Sequence, residues 1–412
     1  MTPGRAAALA LGLAALGGLA WLQFAPGDAA LPPTAATPAG PPPAEALAPA
    51  AAPPLQARSA SAALGPLAPA ERQRLHALWQ QRVQRAGEVL QAYRWATRYP
   101  HEARPLTEQP DQFDPQQPIV EDLPLRLPGQ AVVPGLFLRT TQDKIHLQGD
   151  EAVTISVSAH DGEGRTLPLQ VQRAVAEALP RGADGLRGAD GPRVPLDVND
   201  QGRAGDALAG DGVLSTRLQP ARQGLGDQAR SIRLSLALQS GEQPGFAYFD
   251  VVYSPEQPAT WAGAVRERLD TGSLLLELPV QVHTAGRYVV AGRVDDADGR
   301  PLALLSFNEE LATGPQTFRL NLFGKLVRDL QPRFPLRLRD VEAFLLKADQ
   351  FPDRALLPRR WGLVHETQRY PWASFSTAEW QSPERSRYLN EYERDLRQAQ
   401  AELDRLRPPP GP

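Results

Sequence analysis

Cysteine is absent from the 412 residues, and methionine occurs once. The first absence removes disulfides, thiol nucleophiles, lipidation at cysteine and every cysteine-ligated zinc centre. It suits an oxidising compartment. Histidine is scarce, with six residues spread along the chain. Neither charge sign dominates: 44 Lys and Arg against 47 Asp and Glu leave a net charge of −3. These charges are interspersed, so there is no electrostatic footprint for nucleic acid and no nucleic-acid partner is expected. A phosphate loop is excluded too, because no glycine-rich stretch ends in Gly-Lys-Ser/Thr.

Proline is what the chain has in excess, 42 in all, much of it in the first third. Residues 1–24, "MTPGRAAALALGLAALGGLAWLQF", place one arginine before an apolar run from Ala6 to about Leu22. That is an export signal, read as a signal anchor in preference to a cleaved signal peptide. The expected location is the periplasm, tethered to the inner membrane; signal cleavage would instead leave a soluble periplasmic or secreted protein. Residues 25–68 are alanine and proline with hardly a charge, and read as a disordered, semi-rigid tether.

The remainder is expected to be mostly β: two Ig-like β-sandwich modules with flanking N- and C-terminal helices after the disordered Pro/Ala tether. Residues 69–135 read as a helix plus an irregular proline-rich segment. Short alternating runs such as "AVTISVSA" and "SIRLSLAL" predict a first sandwich over 136–257. "SLLLELPVQV", "GRYVVAGRV" and "LRDVEAFLLKA" predict a second over 258–350, with Asp298-Gly299 as a hairpin turn. Residues 351–412 read as aromatic-rich coil and a C-terminal helix capped near Ser382. A duplicated hexamer, "RGADGLRGADGP" at 181–192, reads as a low-complexity loop.

Three stretches could carry chemistry. "VNDQGRAGDALAGDGV" begins like a calcium loop at Asp197, Asn199 and Gln201, followed by Gly202. Its twelfth position is Leu208 where such a loop needs a bidentate glutamate, so it fails as an EF-hand. Asp206 and Asp211 can fold back, which makes Asp197, Asn199, Asp206 and Asp211 the possible calcium ligands. A turn series in which aspartates cap their own backbone outweighs that reading, and no other cofactor is expected. The second stretch, "HETQR" from His365 to Arg369, lacks the second histidine of a zinc-peptidase helix. His146, His160 and His283 sit in or beside strands as structural residues, and no serine lies in a G-x-S-x-G elbow. No catalytic residue is expected. The third stretch holds Trp361, Tyr370, Trp372, Phe375 and Trp380 beside Arg359, Arg360 and Arg369. Trp361, Tyr370, Trp372 and Trp380 could form a glycan- or protein-binding face; rings that strap a sandwich are the competing reading.

"DQGRAGDALAGDGVLSTRL" resembles the D-x-G-x-x-G-D-x-x-A-G-D-G-hydrophobic signature of Ig-like modules in secreted bacterial proteins. "GRYVVAGRVDDADGRPLALLSF" and "LRDVEAFLL" resemble another such module. Over residues 95–350 the order of parts resembles an uncharacterised family of exported gammaproteobacterial proteins. A family-typical aromatic after "GDG" is Leu214 here. The resemblance implies sandwiches and says nothing about chemistry. Taken together, a non-enzymatic exported scaffold or adhesion-type protein is expected. Its partner is a protein, or alternatively a cell-wall glycan reached through 361–380; an unrecognised hydrolase is a third reading. A monomer is expected.

One long-range contact is also expected. Trp79, Val83, Ala86, Leu90 and Tyr93 form one helical seam; Leu389, Tyr392, Leu396, Ala399, Leu403 and Leu406 form another. Arg82 and Arg94 flank the first, and Glu393, Asp395 and Glu402 flank the second. Opposite flanks favour pairing of the two helices within one chain.

Overall fold

The computed structural model describes residues 68–127, 132–179 and 191–407. The apolar N-terminal run, the tether and most of the duplicated hexamer lie outside the described residues. The described chain is mostly β, with antiparallel sheets and long helices near both ends.

The alternation read from the sequence becomes two hydrophobic cores. In the first module, Val153, Ile155, Val157 and Ala159 point inward from strand Val153–Asp161, and Ile232, Leu234, Leu236 and Leu238 do so from Arg230–Ser240. One half of the sheet runs through Ile119–Arg126, Val132–Gln142 and Val153–Asp161; the other through Gln243–Ser254, Arg230–Ser240 and Gln170–Ala178. The halves meet in the ladder where Arg126 pairs with Phe246 and through Gln142 Nε2, which donates to Asp250 O at 3.2 Å, and their inward residues share one core. In the second module, Ser273–Val282 is flanked by Gly314–Leu322, Ala259–Trp261 and Arg266–Asp270. The facing sheet centres on Gly286–Asp295, between Pro301–Leu311 and Arg337–Leu346. Phe318, fully buried, packs on Trp261, Tyr288 and Phe307 with ring centroids 5.6, 5.8 and 5.4 Å away. The expected Asp298-Gly299 turn closes the hairpin between Gly286–Asp295 and Pro301–Leu311, with Gly299 at φ +78°.

Both module boundaries differ from the sequence reading. Ile119–Arg126, read as irregular, is a strand of the first module. Pro124 within it is tolerated because the strand has a full ladder on one side only. Arg354–Leu356 and Arg360–Glu366, read as coil, pair with Arg337–Leu346 and extend the second module past residue 350. Two register shifts in the latter ladder spoil the period of two on which the sequence reading rested.

The segment before the first module bypasses it. Strand Ala103–Pro105 adds to Pro301–Leu311 of the second module. Beyond it, the buried Arg293 donates through Nε to Gln112 O at 2.9 Å and through Nη1 to Asp340 O at 2.8 Å. Arg339 donates to Phe113 O at 3.0 Å, and Gln116 Nε2 donates to Asp340 Oδ1 at 3.0 Å. The first module is therefore inserted between two parts of the chain that belong to the second.

Helix α1 (Pro69–Ala96) and helix α3 (Pro383–Arg405), with the short α2 (Gly324–Leu330) between them in sequence, complete the chain. Pro69 occupies the first turn of α1, and Ser382 Oγ caps α3 by accepting from Arg385 N at 3.0 Å. The two long helices pack antiparallel. Tyr93 lies 5.8 and 5.2 Å from Tyr388 and Tyr392, Arg94 pairs with Glu393 at 2.5 Å, and Arg385 Nε donates to Thr97 Oγ1 at 3.0 Å. Leu90, Ala399 and Leu403 are buried between them. An exposed ion pair such as Arg94–Glu393 contributes little by itself; the apolar seam does the holding.

Candidate metal centre and aromatic segment

The glycine-rich loop runs between strands Arg193–Pro195 and Leu214–Leu218. It doubles back tightly because Gly205 (φ +100°) passes Thr154 where a Cβ would come within 3.0 Å of Cγ2, and Gly212 (φ +80°) passes Thr166 similarly. This folding brings Asp200, Asp206 and Asp211 together, with one carboxylate oxygen from each within 4.8 Å of the others.

Most of the oxygens already accept hydrogen bonds from the loop. Asp200 accepts from Gly210 N at 2.6 Å, Asp211 N at 3.2 Å and Gly212 N at 3.0 Å. The buried Asp206 accepts from Gly202 N at 2.5 Å and Ser215 Oγ at 3.4 Å, and Asp211 accepts from Val213 N at 2.9 Å. Three carboxylates this close repel one another, and the backbone N–H groups offset part of that repulsion. The donor set is all oxygen, which fits a hard divalent cation such as calcium through the remaining lone pairs. An open cleft beside the cluster is lined by Thr166, Leu167, Gln170, Asp211 and Leu214.

Of the four residues singled out by sequence, Asp206 and Asp211 belong to the cluster and Asp197 and Asn199 do not. Asp197 uses its carbonyl to accept from Thr216 Oγ1 at 2.8 Å. Asn199 is buried, pairs through its backbone with Ser215, and accepts from Gln201 N at 3.2 Å. Asp200 takes the place of both. It was missed because the alternate-position pattern was started at Asp197, which puts position 200 out of phase; the Gly210–Gly212 turn that its carboxylate caps was the available signal. Were calcium to bind here, chelation would lower the melting temperature and Asp211→Asn would abolish the response. A melting temperature unmoved by chelator and by added calcium would leave the aspartates as turn caps alone.

The aromatic residues do not share one face. Tyr370 packs on Phe334 and Phe375 at the edge of the second core, and its hydroxyl donates to Glu267 Oε1 at 3.0 Å. Burial first, and that acceptor second, push its phenol up to about 12. Trp372 donates through Nε1 to Pro332 O at 3.1 Å, and the half-buried Trp380 is fixed by its backbone to Arg98 O at 3.0 Å. Trp361 is exposed beside Arg359, on a strand rather than a coil. The segment is thus a strap across the second module. "HETQR" lies at the end of a strand, not on a helix: His365 Nε2 meets the buried Glu267 at 2.8 Å, and Gln368 N donates to the same carboxylate at 2.7 Å. Among the described residues no helix is long and apolar enough to cross a membrane, and the N-terminal apolar run lies outside them.

No protein-family model matches this chain, and neither does any curated protein. Among solved structures it is similar to a DUF4785 family protein from Legionella pneumophila, at 14% identity over 56% of this chain and 57% of that one, TM-score 0.35. It is similar to the adhesin InvE of Yersinia pseudotuberculosis at 11% identity, over 53% of this chain and 58% of that one, TM-score 0.18. Chicken CNTN1 FN1–FN3 domains match at 10% identity, over 58% of this chain and 80% of theirs, TM-score 0.22. The chain spans just over half the length of the first two. These likenesses concern β architecture and carry no argument about activity.

Proposed function

We propose that this protein is an exported, membrane-tethered, non-enzymatic scaffold of the adhesion type, built from two Ig-like modules, that binds a protein partner in the periplasm or at the cell surface. We read it as a member of an uncharacterised family of exported gammaproteobacterial proteins, on the strength of the order of parts over residues 95–350, which includes a module with the glycine–aspartate signature. The observation that supports the reading best is how the body is fastened. A load entering at the N-terminal end of α1 meets the α1–α3 seam, then the Ala103–Pro105 ladder, then the Arg293 and Arg339 contacts on the second module. Each holds the entry point to an element far away in sequence. That suits a body pulled through its N-terminal tether. The glycan reading is weakened because the Tyr370 hydroxyl and the Trp372 indole N–H are each committed to intramolecular hydrogen bonds.

A reporter enzyme that works only outside the cytoplasm, fused after Pro412, tests the placement. Activity in intact cells is expected, together with co-purification of a partner after mild crosslinking of native membranes. Activity of a cytoplasm-only reporter at the same position would overturn the placement.

A further inference from the structure

The outward face of the first module carries apolar side chains left open to solvent. Strands Gln170–Ala178, Arg230–Ser240 and Gln243–Ser254 turn alternate side chains away from the core. Their registers set these outward residues in cross-strand rows. One row is Val175, Ser235 and Tyr248; the next is Arg173, Ala237, Phe246 and, across the joint of the two halves, Arg126. Tyr248 is 56% exposed, Ala237 is exposed, and Phe246 and Val175 are half-buried. The solvent face of an antiparallel sheet ordinarily carries polar residues, so two neighbouring aromatic rings here mark a contact surface.

The Tyr248 ring is held in place. Arg233 grips both oxygens of Asp250 at 2.8 and 2.7 Å, and its guanidinium lies 4.6 Å from the ring centroid. An aromatic anchor fixed beforehand loses little freedom on binding. The charges decide what it fits. Glu177 and Asp250, the acids of the adjoining row, are already paired, with Arg193 at 2.8 Å and with Arg233. Arg126 and Arg173 are exposed, and neither makes an ion pair or side-chain hydrogen bond among the described residues. They stand at opposite ends of the row through Ala237 and Phe246, three strand spacings apart, or about 14 Å.

We propose that this face docks an extended segment of a partner protein, with two acidic residues about four apart and an apolar residue between them. Each acid meets one free arginine, and the apolar residue lies on Ala237 and Phe246 beside Tyr248. A basic segment would set like charge against both guanidinium groups. The face rests on the scaffold reading and gives that scaffold its partner-binding surface.

A displayed library of random linear peptides, selected on the immobilised full chain, tests it. Enriched peptides are expected to carry the acid–apolar–acid spacing. Affinity for a synthesised member should fall on the order of 30-fold with Tyr248→Ser. The double variant Arg126→Glu, Arg173→Glu should lose these peptides and select ones with Lys or Arg at the same two places. All three positions are exposed, so melting temperatures should not move, and misfolding is thereby excluded as the cause. No enrichment, or enrichment indifferent to Tyr248 and both arginines, overturns the proposal. So does a dimer of the parent that Tyr248→Ser abolishes, which gives the face to a second copy. Co-purification from native membranes separates this face from the scaffold reading. A partner lost from both variants supports the face; one retained by both overturns the face and leaves the scaffold standing.

Discussion

Phe318→Ala should lower the unfolding free energy of the second module by about 4 kcal/mol, within the range seen when a buried phenylalanine is truncated. Phe318 has no solvent exposure and is the ring on which Trp261, Tyr288 and Phe307 converge. Those three come from both sheets, so the cavity opens in the layer between them and neither sheet can collapse to fill it. Against a typical total of about 5–15 kcal/mol the loss is large. Tryptophan fluorescence reads it selectively, because residues 119–254 contain no tryptophan. The midpoint of urea unfolding should fall sharply by that signal. A loss below about 1 kcal/mol would mean that the two sheets do not meet at Phe318.

Arg293→Met should detach residues 106–117 from the second module. Arg293 is 1% exposed, and its guanidinium ties Gln112 to the backbone of Asp340 while meeting Glu342 at 3.2 Å. Methionine keeps much of the volume but leaves the buried Asp340 carbonyl, the Gln112 carbonyl and the Glu342 carboxylate without this donor. The expected cost is about 3 kcal/mol, the scale for breaking a buried charged pair from one side. Lysine should not rescue it, because one ammonium cannot reach acceptors arranged around a planar fork. Limited proteolysis distinguishes this from general destabilisation: cleavage should appear first between residues 106 and 117. Arg293→Met protein as resistant there as the parent would remove Arg293 from the fastening.

What the sequence made legible was local. Period-two runs gave the strands that bury one face, as in Val153–Asp161. Glycine–aspartate pairs gave turns such as Asp298-Gly299. The 3-and-4 spacing, together with opposite charges at Arg94 and Glu393, gave the partner of α1. Pairing between distant strands was not legible. Nothing in "ARP" at 103–105 says that it joins residues 303–305 rather than its neighbours, because three residues carry no face pattern and the ladder is made by backbone groups. Proline hid Ile119–Arg126, and bulges hid Arg360–Glu366. At the acidic loop, composition was informative and phase was not: the right residue types were present, but only the folded turn shows that Asp200 joins Asp206 and Asp211 while Asp197 does not.

The central claim is that the segment before the first module is fastened to the second module, and α1 to α3, by elements far apart in sequence. A protease site inserted between Glu256 and Gln257, in the exposed link, lets the chain be cut between the modules after folding. The N-terminal piece then has α1, residues 97–118 and the first module; the C-terminal piece has the second module and α3. If the α1–α3 seam, the Ala103–Pro105 ladder and the Arg293 contacts hold as described, the cut protein elutes as one species and retains its unfolding midpoint. Two pieces that separate without denaturant would contradict the account.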